Sequence, residues 1–113
     1  MQSMAFVAPL LPGKMDADRA ALVSVSAGER RADHDESRKR AGITRESVWL
    51  QSTPSGDVAV VLLEADDIPS AMGTLASSEE PFDQWFRAHL EDVHGADMTA
   101  GFPPPEQVLD YRG

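Results

Sequence analysis

The chain contains no cysteine. Disulfide frameworks, thiolate nucleophiles, zinc fingers and iron–sulfur clusters are thereby excluded. No apolar run approaches the roughly 18 residues that a membrane span requires. No basic region precedes the apolar residues 4–11, so a secretory signal is not expected. Two catalytic motifs are also missing. There is no Gly-x-Ser-x-Gly elbow, and Pro12-Gly13-Lys14 lacks the flanking glycines of a phosphate loop. Positive charge is scarce: the net charge is −9, a poor match to nucleic acid, which rewards a basic face. Together these absences point to a soluble, cytoplasmic protein that binds neither nucleic acid nor membrane.

What remains is a chain of 113 residues, 42% hydrophobic, enough for one packed domain over 1–113. Six of its ten basic residues lie between Arg30 and Arg45. Interleaved with Asp33, Asp35 and Glu36, they read as a solvated helix face, with an anion-recognition patch as the alternative.

Residues 3–11 read as a first strand, apolar on both faces and ended by Pro12 and Gly13. Asp16 or Asp18 can then cap one long helix reaching about Arg40, with Gly42 as its stop. Small and polar residues along that helix hint at space beneath it. Residues 44–53 alternate as a second strand and 58–65, apolar on both faces, read as a central third strand; the turn Pro54-Ser55-Gly56-Asp57 joins them as a hairpin. Asp66 and Asp67 precede a short helix with Pro69 in its first turn. Ser77 with Glu80 fits a capping box for the next helix. Phe82, Trp85, Phe86, His89, Leu90 and Val93 form the clearest apolar stripe, and Gly95 ends it. A loop over 95–105, stiffened by Pro103-Pro104-Pro105, leads to a final strand over 106–112.

Strand, helix, strand, strand, helices, strand is the ferredoxin-like βαββαβ plan. It predicts an α+β fold whose four-stranded antiparallel sheet has helices on one face. The first and third strands are apolar on both faces, so a second copy is expected to cover the open face as a homodimer.

Four segments carry a resemblance. Gly42-Ile43-Thr44-Arg45-Glu46-Ser47-Val48-Trp49-Leu50 resembles the glycine-then-strand segment of dimeric α+β barrel proteins. Leu75-Ala76-Ser77-Ser78 followed by Trp85 and Phe86 resembles a segment of the L-rhamnose mutarotase branch. Pro12-Gly13-Lys14 resembles the start of antibiotic-biosynthesis monooxygenase-like domains. Pro104-Pro105-Glu106-Gln107-Val108-Leu109-Asp110-Tyr111 is similar to the ending of an uncharacterised bacterial branch. The resemblance implies a dimeric α+β barrel and a choice among mutarotases, cyclases, cofactor-free monooxygenases, haem-degrading enzymes and proteins without activity. The mutarotases carry an acid/base histidine early in the first helix. Here Leu22-Val23-Ser24-Val25-Ser26 stands there, and His34 comes later.

His89, mid-stripe on the last helix, is the first candidate acid/base if that stripe faces the sheet. The alternative is a core histidine satisfied by its neighbours. His34, between Asp33 and Asp35, is the second candidate if it turns inward. Trp49, Trp85, Phe86, Phe6 and Tyr111 could wall a substrate cavity, with Gln51 and Glu64 meeting polar groups of the substrate. His89, Asp92 and His94 are spaced poorly for a metal, since helical ligands favour i and i+4. The expected function is cofactor-independent proton-transfer chemistry on a small organic molecule. A cyclase or isomerase, in natural-product biosynthesis as the resemblance implies, comes first. The alternatives are a cofactor-free monooxygenase and a non-catalytic dimeric binding or accessory protein.

Overall fold

A computed structural model describes residues 1–95, 97, 101 and 103–113. Its elements are β1 (Gln2–Pro9), α1 (Met15–Ser26), α2 (Arg31–Ala41), β2 (Ile43–Thr53), β3 (Gly56–Ala65), α3 (Ile68–Ser77) and α4 (Pro81–His94). The fold is α+β. Its three strands form an antiparallel sheet in the order β1-β3-β2, with four helices. That order leaves β1 and β2 parallel on either side of β3, compatible with a ferredoxin-like plan. The fourth strand expected at 106–112 is not formed within the single chain, where those residues are exposed and outside any element. The loop expected over 95–105 includes 96, 98–100 and 102, which lie outside the described residues.

The hairpin forms as its turn chemistry dictates. Pro54 and Ser55 make the turn, and Gly56 takes φ 126°, which a side chain would resist. Thr53 Oγ1 accepts from the Ser55 amide and donates to the Gly56 carbonyl. The register sorts the side chains. Met4, Leu63 and Glu46 share one row, and Phe6, Val61 and Val48 the next, all toward the helices. Against this face α3 lays Ile68, Ala71 and Leu75, completing a core with Met4, Ile43, Leu63 and Ala65. Ala5, Leu62 and Ser47, then Val7, Val60 and Trp49, form the rows of the opposite face. Val7 and Trp49 are exposed there.

The single long helix expected to about Arg40 is instead two. The chain breaks after Ser26 because at Gly28 it passes so close to α1 that a Cβ would lie 2.9 Å from Ser24 Cα. The Ala27 amide still reaches Val23 O at 3.0 Å, and the Arg30 amide folds back to Ser24 O at 2.9 Å. Neither Asp16 nor Asp18 caps α1, whose N-cap is Lys14; both sit in its first turn, where negative charge suits the helix dipole. The expected Ser77–Glu80 capping box is likewise absent. Ser77 belongs to α3, and Ser78 Oγ accepts from the Glu80 amide at 3.2 Å. Of the two aspartates that precede α3, Asp67 caps it, accepting from the Ser70 amide at 3.0 Å. Among the described residues no helix is long and apolar enough to cross a membrane.

Candidate functional site

The stripe of α4 turns inward as its periodicity predicts, Val93 buried and the other five residues half-buried, but it faces α1 and α2. Arg30 lies 4.0 Å over the Trp85 ring and Arg38 4.6 Å over Phe86. Phe82 meets the His34 ring edge-on at 6.0 Å between centroids. His89 therefore does not reach over the sheet. Its ring stacks on Trp85, and Nε2 lies 2.8 Å from Asp18 Oδ1 in α1. The two side chains are only 9% and 2% exposed. Asp18 Oδ2 has no hydrogen-bond partner among the described residues.

His34 turns inward, and its carboxylate partner is Glu46 of β2, not the flanking aspartates. Nε2 lies 2.7 Å from Glu46 Oε1. Glu46 is itself clamped by Arg38, Nε to Oε1 at 2.8 Å and Nη2 to Oε2 at 3.2 Å, the fork that suits a carboxylate. Burial would raise the Glu46 carboxyl, but the hydrogen bonds from His34 and Arg38 and their charges outweigh it, lowering it to about 2. An ionised Glu46 only accepts, so Nε2–H of His34 donates to it and Nδ1 remains for a proton.

The polar chain runs deeper. Arg38 Nη1 donates to Ser37 Oγ at 2.9 Å, and Ser37 Oγ donates to Asp83 of α4. Asp83 also accepts from Ser78 Oγ and from Arg40 at 3.2 Å. Burial opposes its ionisation, yet the Ser37, Ser78 and Arg40 hydrogen bonds hold its carboxyl below the usual range. Ser37 and Asp83 are both buried. Of the basic cluster at 30–45, Arg38 alone is buried; Arg30 and Arg40 reach inward from the surface to Trp85 and Asp83.

A cleft of about 610 Å³ opens between α1 and α2. Val25, Gly28, Arg31, Ala32, His34 and Asp35 are among the residues that line it. Gly28, in the break between the two helices, lies on its wall. This is not the cavity expected beneath the helices. His34, 22% exposed, is the one candidate site residue on its wall.

The structure brings His89, Trp85 and Phe86 together, but not the remaining candidates. Phe6 packs against the core. Trp49, Gln51 and Glu64 lie on the open sheet face, where Glu64 accepts from Ser3 Oγ at 3.2 Å. Tyr111 is exposed in the tail. His94 Nδ1 sits 2.9 Å from Pro9 O and Asp92 pairs with Lys14, so these two do not converge with His89. Glu46, Arg38 and Asp83 escaped sequence reasoning. Glu46 alone carried a signal, a lone acid among the inward positions of a strand. Comparison with known proteins finds no matching family model, no matching curated protein and no matching solved structure.

Proposed function

We propose that the protein is a cofactor-independent enzyme of the cyclase or isomerase type, acting on a small carbonyl-bearing organic molecule in the α1–α2 cleft. His34 is its acid/base. The supporting observation is the ordered series Arg38, Glu46, His34 ending at the cleft wall. Arg38 keeps Glu46 ionised, and Glu46 holds Nε2–H. Nδ1 then takes a proton from the carbon beside the carbonyl, and Glu46 stabilises the imidazolium that forms. Arg31, on the same cleft, faces the enolate oxygen. Returning the proton to another carbon isomerises the substrate, and attack of the enolate on a second carbonyl cyclises it. The reading includes the finer architecture expected from the sequence: a cytoplasmic homodimer of the α+β barrel type, with residues 106–112 as a fourth strand.

Deuterium exchange tests the chemistry. A panel of small ketones and 1,3-dicarbonyl compounds is incubated with the protein in D₂O and followed by NMR. The native chain is expected to label one class, and His34→Gln to lose about 10²- to 10⁴-fold of that rate. Full exchange by His34→Gln would remove this residue from the mechanism. Ligand-induced shifts without exchange would favour the binding-protein reading. The aromatic packing of Phe82, Trp85 and Phe86 under the arginines favours that second reading.

A further inference from the structure

Among the described residues two backbone surfaces have no strand paired against them, and their chemistry matches. The first is the outer edge of β1. β1 pairs with β3 along one side, and among the described residues no strand lies on its other side. Half of its backbone N–H and C=O groups therefore point away from β3, to the side where the described residues place no strand. Such edges are ordinarily blunted by charge, proline or a bulge. The other edge of the sheet is blunted in this way: β2 carries Arg45 and Glu46 and shifts register between Ile43 and Arg45. From Gln2 to Ala8, β1 has no charge and no register shift, and Pro9 comes only at its end.

The second surface is the tail. Val108, Leu109 and Tyr111 are 83%, 81% and 86% exposed, in a segment that pairs with no strand. In extended form it places Leu109 and Tyr111 on one side and Val108 on the other. It contains no proline or glycine between 106 and 112. Pro103, Pro104 and Pro105 precede it, and such a run extends about 3.1 Å per residue and resists reversal. That stiffness opposes a return to the chain's own β1. The tail carries two acids and one arginine against an uncharged β1, so this seam adds little repulsion between two chains of net charge −9.

We propose that residues 106–112 of one copy add as a strand to the outer β1 edge of a second copy, and that the exchange is reciprocal. It rests on the homodimer of the preceding reading and names the segment that closes it. Reciprocity satisfies the β1 edge of both copies, and the strand that becomes the new edge carries Glu106, Asp110 and Arg112, charges of the kind that blunt an edge.

The absence of cysteine makes the test direct. Chains bearing Ser3→Cys, Ala5→Cys or Val7→Cys are mixed with tagged chains bearing Val108→Cys or Leu109→Cys and oxidised. At least one mixture is expected to give a covalent heterodimer, while the corresponding double variants do not close on themselves as monomers. In sedimentation, a chain ending at Pro105 and the variant Leu109→Asp/Tyr111→Asp are expected to dissociate about tenfold or more readily, with unchanged circular dichroism. A monomeric native chain overturns both this proposal and the dimer. A dimer indifferent to both changes, or an internal cross-link at monomer mass, overturns the exchange alone and leaves a face-packed dimer standing.

Discussion

Glu46 shows how one carboxylate can organise a polar interior. Its oxygens receive His34 and both arms of Arg38, and Arg38 is almost wholly buried. Glu46→Gln leaves that guanidinium without its counter-charge, and about 3 kcal/mol of stability is expected to be lost, measured by urea unfolding. The pH dependence follows from the same contacts. The folded carboxyl ionises at about 2, against 4.5 for an unperturbed one. Between those values the unfolded chain binds more protons than the folded one. The contribution of Glu46 is therefore complete above about pH 4.5 and fades as the pH falls toward 2, by roughly 3 kcal/mol in all. Asp83, also lowered, acts in the same direction. Unfolding free energies at a series of pH values should fall more steeply below 4.5 in the native chain than in Glu46→Gln.

The helices differ in what their glycines do. Gly28 permits the close passage that ends α1, and Gly28→Ala would drive a methyl against the Ser24 backbone at 2.9 Å. A loss of about 1–3 kcal/mol is expected. Gly73 sits inside α3, where an added methyl group would meet nothing within 4 Å. Gly73→Ala should instead stabilise by about 0.5–1 kcal/mol, since alanine forms helix more readily. Thermal unfolding of the two variants should move in opposite directions. A Gly28→Ala variant as stable as the native chain would show that the close passage at Ser24 does not require glycine.

In the molecule as a whole, the helices cover one side of the sheet and leave Ala5, Val7, Trp49, Val60 and Leu62 on the other. Trp49→Lys is expected to fold normally, because this face contributes nothing to the core around Leu63, and to weaken the proposed association by about tenfold or more. Equilibrium sedimentation reads both. Each copy carries a net charge of −9, so association should tighten as salt rises from about 10 to about 150 mM and screening shortens the reach of the repulsion. Weakening with salt would mean that ion pairs, not apolar strips, hold the copies together.

The hairpin, the cap at Asp67 and the stripe of α4 could be read directly, because each rests on neighbours a few residues apart. Pro54 and Gly56 shape a turn, and the spacing from Phe82 to Val93 selects one helix face. Other features depended on residues far apart in the chain. The stripe had two surfaces it could bury against, and periodicity does not distinguish the sheet from α1 and α2. His34 was flanked by two aspartates but took Glu46, twelve residues away, because the packing of α2 on β2 brings that carboxylate beneath it. His89 stood at the centre of the stripe, and Asp18, seventy-one residues distant, gave it a buried partner. Local order follows from dihedral preference and side-chain period, both written in consecutive residues. Which histidine meets a cleft follows from how the elements dock, and docking is settled by the burial and charge pairing of the whole chain at once.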